Sequence, residues 1–121
     1  MGLNVVFHVD LREKLNLNIA LDNVTNYLNY LETVPEGKDA KLVLLANGPA
    51  VNLFVRSEET SEQEKRAEGL MQKGLQIHLC SNALRKFAID PASLWAGCEP
   101  IPGGIPELVM LQNAGYSYIK P

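Results

Sequence analysis

Cysteine is scarce in this chain: among 121 residues only Cys80 and Cys98 occur. Two cysteines build no disulfide framework of the kind that staples small secreted domains. The two histidines, His8 and His78, form no closely spaced ligand pair of zinc type with them, so no metal and no redox cofactor is expected. An excess of positive charge is also missing. Lys and Arg total 11 against 14 Asp and Glu, a net charge of −3, and no basic run exceeds Lys65–Arg66 or Arg85–Lys86. This argues against a general nucleic-acid binder. Nor does any apolar run approach the roughly 20 residues that cross a bilayer, so no membrane partner is expected. The first residues lack the basic-then-apolar pattern of a secretion signal. The Asn23-Val24-Thr25 sequon therefore reads as chance, and the expected compartment is a reducing cytoplasm with free thiols. Low-complexity tracts and internal repeats are absent too.

What is present is an ordinary globular composition, 46% apolar and 21% charged, which predicts one domain over residues 1–121 with enough side chains to fill a core. Asn4–Val9, Lys41–Ala46 and Leu75–Cys80 are short apolar runs rich in β-branched and aliphatic residues, and read as strands buried on both faces. Between the first two, Leu15, Ile19, Ala20, Val24, Tyr27, Leu28 and Leu31 recur at helical spacing. Asp10 with Glu13, and Ser61 with Glu64, have capping-box spacing at the starts of the first long helix and of one ending near Lys73. A short helix is expected after Asn47-Gly48-Pro49, and Ser81-Asn82 is expected to cap a helix from Ala83 to Phe87. Asp90–Trp95 reads as a helical turn, Cys98–Ile101 as a short strand that Pro100 and Pro102 count against, Ile105–Asn113 as a helix opened by Gly103-Gly104, and Tyr116–Ile119 as a last strand. Strand and helix alternate to five strands. The expectation is a three-layer, flavodoxin-like α/β domain with a mainly parallel sheet and helices on both faces.

In such a sheet ligands bind outside the carboxyl ends of the strands. Those ends carry His8 and Asp10, then Asn47 and Gly48, then Cys80, Ser81 and Asn82. Cys80 stands where a strand meets a helix start, a place that favours a thiolate; its plainer reading is a small buried hydrophobe. His8 reads first as an ordinary hydrogen-bonded histidine at a strand end, His78 as structural, and Asp10 more as a cap than as a base. Other chemistries of this architecture lack their residues. No G-x-G-x-x-G follows the first strand, no G-x-S-x-G occurs, and Cys80 holds the position at which a phosphoacceptor aspartate would stand. Phosphate or nucleotide binding at Gly48 or Gly103-Gly104 has only turn-type glycines behind it. Thiol chemistry, or binding without chemistry, is left.

Val6–Asp10, Ala46-Asn47-Gly48, Gly74–Leu84 and the ending Gln112–Pro121 resemble the DsrE/DsrF-like family, closest to its small single-domain branch. The Cys80-x-Asn82-x-Leu84 segment and the Gly115-Tyr116-x-Tyr118-Ile119-Lys120-Pro121 ending are the most specific parts. The resemblance implies a flavodoxin-like fold with a five-stranded sheet, assembly into homotrimers or hexamers, and a place in an intracellular sulfur relay. In such a relay Cys80 would accept sulfur as a persulfide from a donor protein and pass it to an acceptor thiol. His8 and Asn82 match the branch motif; Cys98 lies outside it. The alternative is an oligomeric small-molecule-binding or regulatory protein using the same pocket, which Asp10, Asn47, Gly48 and Ser81 would help to form. Trp95, Phe54, Tyr116 and Tyr118 suit an interface, or equally a core.

Overall fold

A computed structural model describes residues 2–121. Five strands form one parallel sheet: β1 Val5–Val9, β2 Leu42–Ala46, β3 Leu75–Cys80, β4 Cys98–Ile101 and β5 Ser117–Ile119, in the order β4-β3-β2-β1-β5. The central strands β1 and β2 are buried at every residue, as their unbroken apolar runs predict. β4 tolerates Pro100 because it is an edge strand, with one side free of ladder bonds. The helices are α1 Lys14–Leu31, α2 Ser61–Gln72, α3 Ser81–Lys86 and α4 Gly104–Asn113, with 3-10 turns at Pro35–Asp39, Gly48–Phe54 and Pro91–Ser93. The expected parallel three-layer α/β architecture is what forms.

The two faces are covered unequally. Val5, Phe7, Val9, Leu44, Ala46, Ile77 and Leu79 build the large core with α1, α2, α3 and the segment carrying Phe54 and Trp95. The opposite face has a small core of Val6, Val43, Leu45 and Leu108, and the last of these belongs to α4. After β4 the chain returns across the sheet to place β5 beside β1, and α4 is the crossover that makes the return.

Several local expectations are corrected. Asp10 and Glu13 do not cap α1: Glu13 takes the N-cap position without a side-chain cap bond, and Asp10 pairs with Lys120 instead. The buried stripe of α1 is Leu17, Ala20, Leu21, Val24 and Leu31, whereas Leu15 and Ile19 are exposed. At α2 the N-cap is Thr60, and the Ser61 hydroxyl donates to the Glu58 carbonyl rather than joining Glu64 in a box. Ser81 and Asn82 lie inside α3, and Cys80 itself is the N-cap residue. Phe54 and Trp95 are core residues with ring centroids 4.8 Å apart, so they serve packing and not an interface.

Candidate functional site

The carboxyl ends of β2 and β3, with the first turns of α3 and α4, enclose an open-mouthed cavity of about 300 Å³. Asn47, Gly48, Cys80, Asn82, Lys86 and Gly104 contribute to its wall. Cys80 is 6% exposed, so its sulfur is reached through this opening and not from a free surface. At Gly48 the chain turns out of β2 with φ +56°, a conformation that glycine takes without steric cost.

Gly103 and Gly104 are present for space. Both are buried, and neither has positive φ. A Cβ on Gly104 would stand 2.8 Å from the Asn47 Cβ and 3.4 Å from the Cys80 Cβ; one on Gly103 would meet the Pro106 ring at 3.2 Å. The absent side chains let the first turn of α4 close down on the strand ends. The leading N–H groups of a helix have no carbonyl partner within it, and its dipole is positive there. The paired glycines thus seat a helix start on Cys80, a role that a turn reading of Gly-Gly does not foresee.

The polar side chains of the cavity present donors. Asn82 Oδ1 accepts from Arg85, and its Nδ2 lies toward Gly103. Asn47 Oδ1 accepts from His8 Nε2 at 2.7 Å, and His8 Nδ1 accepts from the Tyr118 hydroxyl at 2.5 Å. The oxygen of each carboxamide is therefore engaged away from the cavity. Lys86 adds a cation, and no carboxylate lines the wall. Such a donor set complements an anion.

Other expected residues stand further off. His8 is buried behind Asn47 and reaches the cavity through it. Asp10 lies beyond Gly48, where the Lys120 ammonium holds its carboxyl below the usual carboxylate range. Ser81 opens α3 but is not part of the wall. His78 is structural: its Nδ1 lies 2.9 Å from Glu107 Oε2 and its Nε2 3.3 Å from Glu99 Oε2. Cys98 pairs in register with Ile77, whereas Cys80 pairs with Ile101. Three residues of strand, about 10 Å, thus separate the two cysteines along the sheet, too far for a disulfide. Burial, with Glu64 nearby, pushes the Cys98 thiol up to about 12. Tyr118, Lys86 and Gly104 were not among the expected site residues. The likeness of the C-terminal segment to a motif was the one signal pointing at Tyr118. Among the described residues no group of His, Cys, Asp and Glu is arranged to hold a metal, and no helix is long and apolar enough to cross a membrane.

Comparison with known proteins concerns the family and the fold. The family model described as DsrE/DsrF-like family matches residues 5–121, so the chain belongs to that family. Among solved structures, MTH1491 from Methanobacterium thermoautotrophicum, a protein of unknown function, is 26% identical over 98% of both chains, with a TM-score of 0.82. The ychN protein from E. coli superposes with a TM-score of 0.73 at 18% identity, covering 100% of both chains. BT1422 from Bacteroides thetaiotaomicron, a conserved protein of unknown function, gives 0.74 at 15% over 98% of this chain and 94% of that one. The last two likenesses concern the fold alone. No curated protein matches.

Proposed function

We propose that this DsrE/DsrF-like chain is a sulfur carrier, with Cys80 as the residue that takes and gives up sulfur. The observation that carries this reading is the pairing of one nucleophile, Cys80, with a cavity walled by donors and free of carboxylates. The Cys80 thiolate attacks the terminal sulfur of a donor persulfide. The donor's S–S bond breaks, the donor leaves as a thiolate, and the sulfur stays as Cys80–S–S⁻. An acceptor thiolate then attacks that terminal sulfur and releases the Cys80 thiolate. The exchange involves no net oxidation and no redox cofactor. The start of α4 and the carboxamides of Asn47 and Asn82 favour the anionic forms. The donor and acceptor are proteins whose own cysteines reach into the opening, and the working compartment is the reducing cytoplasm.

The test is incubation with a low-molecular-weight persulfide, followed by peptide mass spectrometry. One added sulfur on the Cys80 peptide, removable by a thiol acceptor and missing from Cys80→Ser, is the expected result. A Cys80 that never gains sulfur while a known carrier does so in the same tube overturns the relay. A small-molecule-binding role for the same pocket would then take its place.

A homo-oligomer, trimer or hexamer, is part of the proposal. Ile105, Val109 and Met110 of α4 are 60%, 51% and 59% exposed on the thinly covered face of the sheet. A second copy would bury them, as expected for apolar surface of this kind. Sedimentation should give a mass of three or six chains, and Val109→Glu should reduce it; a wild-type monomer at working concentration contradicts the assembly.

A further inference from the structure

A line of hydrogen bonds runs from the outermost strand to the cavity. The Tyr118 hydroxyl on β5 donates to His8 Nδ1 at 2.5 Å, and His8 Nε2–H donates to Asn47 Oδ1 at 2.7 Å. The direction is fixed chemically. A carboxamide oxygen only accepts, so Nε2 carries the proton; with a single ring proton Nδ1 offers its lone pair and the Tyr118 hydroxyl donates to it. Asn47 is an N-cap residue, ahead of the turn Gly48–Phe54, yet its side chain makes no cap bond there. Asparagine at such a position ordinarily turns its oxygen onto the first amides of the helix. Here that local partner is given up for a histidine 39 residues away in sequence. With its oxygen held by His8, the carboxamide has its two N–H groups left, on a residue that walls the Cys80 cavity.

We infer that Asn47 is the side chain that donates to the anionic sulfur on Cys80, and that Tyr118 and His8 are positioning residues that set its orientation. Were the carboxamide turned over, its oxygen would face the sulfur and oppose the charge. His8 with its proton on Nε2 prevents this, and the Tyr118 hydroxyl, donating to Nδ1, completes that arrangement. The inference rests on the carrier reading for its purpose, but it concerns the thiolate itself. It is therefore measurable without any sulfur transfer.

The experiment follows the rate of Cys80 alkylation by iodoacetamide against pH in wild type, Asn47→Ala, Asn47→Asp and Tyr118→Phe. Losing one hydrogen bond to a charged group lowers the rate at neutral pH about tenfold. Asn47→Ala should show that loss, with the pH of half-maximal rate moved upward. Asn47→Asp, which sets a carboxylate beside the sulfur, should lose more. Tyr118→Phe removes a single hydroxyl from a half-exposed side chain on an edge strand and threatens folding least; it should shift the profile in the same direction by a smaller amount. The 15N shifts of His8 should report the Nε2–H tautomer in wild type and a mixture in Tyr118→Phe. A wild-type pH profile in Asn47→Ala, or in Tyr118→Phe if the former does not fold, overturns the inference. Failure of Cys80 to accept sulfur overturns the carrier reading instead, and the alkylation profiles still decide the role of Asn47.

Discussion

His78 on β3 and Glu107 in the first turn of α4 are joined by a 2.9 Å bond between Nδ1 and Oε2. The pair is largely buried, with 8% and 17% of the two side chains exposed. It spans the thinly covered face of the sheet and ties the first turn of α4 to β3, Glu107 lying three residues after Gly104, the residue that opens α4 beside Cys80. A histidine inside a strand, two residues before the cysteine, thereby acts on the cavity without entering it. Replacing His78 with Leu leaves the Glu107 carboxylate without its partner and should cost about 1–3 kcal/mol. Thermal melting should show this as a fall of several degrees. Glu99→Gln, at a carboxylate 66% exposed, should change stability by less than about 0.5 kcal/mol. An additive His78→Leu/Glu107→Leu double variant would show that the two residues do not act as a pair.

Gly104→Ala tests the close approach of α4. The new methyl group would lie 2.8 Å from the Asn47 Cβ, closer than such atoms pack, and that atom is next to the backbone and cannot swing away. Either α4 lifts or Asn47 shifts, at a cost of about 1–3 kcal/mol. Gly103→Ala meets the Pro106 ring at 3.2 Å and should cost less. Urea unfolding of the two variants measures the order directly. Equal stability of Gly104→Ala and wild type would show that the seat of α4 does not need the space this glycine leaves.

How far the fold could be read from sequence follows from which forces were local. β1, β2 and β3 were legible because a strand buried on both faces must be apolar at every position, and β3 is bounded as the sequence predicts. Helix starts were less legible. Asp10 had the right spacing for a cap, but Lys120, 110 residues away, competes for its carboxylate. No spacing rule sees such a partner. Leu15 and Ile19 fit a helical stripe, yet the face α1 buries runs through Leu17, Ala20, Leu21 and Val24 and leaves them outside it. In the site, Cys80, Asn47, Gly48 and Asn82 were legible from position alone, as residues at the ends of parallel strands. His8 was found, but its two partners were not: Asn47 faces it because β2 lies beside β1, and Tyr118 because β5 does, and both are facts of topology. Gly104 is legible as a helix opener but not as a spacer, since that role depends on Asn47 and Cys80 at the ends of two strands.

The Asp10–Lys120 pair should contribute little, and in a defined pH range. Both side chains are more than a third exposed, 41% and 44%, so solvent screens the attraction and the contribution stays below about 1 kcal/mol. The hydrogen bond from Lys120 depresses the Asp10 pKa below the ordinary value of 3.8. A depressed carboxyl gives stability that is present above the unfolded value and lost as pH falls through the folded one. Lys120→Met should therefore be slightly less stable than wild type at pH 7 and indistinguishable from it once Asp10 is protonated. Salt at 1 M should shrink the difference at pH 7. Persistence of the full difference in strong acid would assign it to packing of the lysine stem.

Cys98 makes the opposite prediction, at alkaline pH. Its thiol is held up at about 12, against an ordinary 9.0, first by burial and then by Glu64. Between those values the folded chain keeps a proton that the unfolded chain has lost. The stability gradient is set by protons bound unfolded minus folded, which is negative here, so stability falls as pH rises through 9. One such group contributes a slope of at most about 1.4 kcal/mol per pH unit. Tyr27, raised from 10.0 by burial and by Tyr30, adds a fall of the same sign further up, so the comparison belongs at or below pH 10. Urea unfolding at pH 8 and pH 10 should show a smaller loss for Cys98→Ala than for wild type. The same shift makes Cys98 inert at pH 8, since a thiol that far from ionising supplies almost no thiolate. Iodoacetamide at that pH should label the Cys80 peptide alone in the folded protein and both peptides in urea. Comparable labelling of both cysteines in the folded state would mean that Cys98 is open to solvent, and the alkaline slope should then vanish with it.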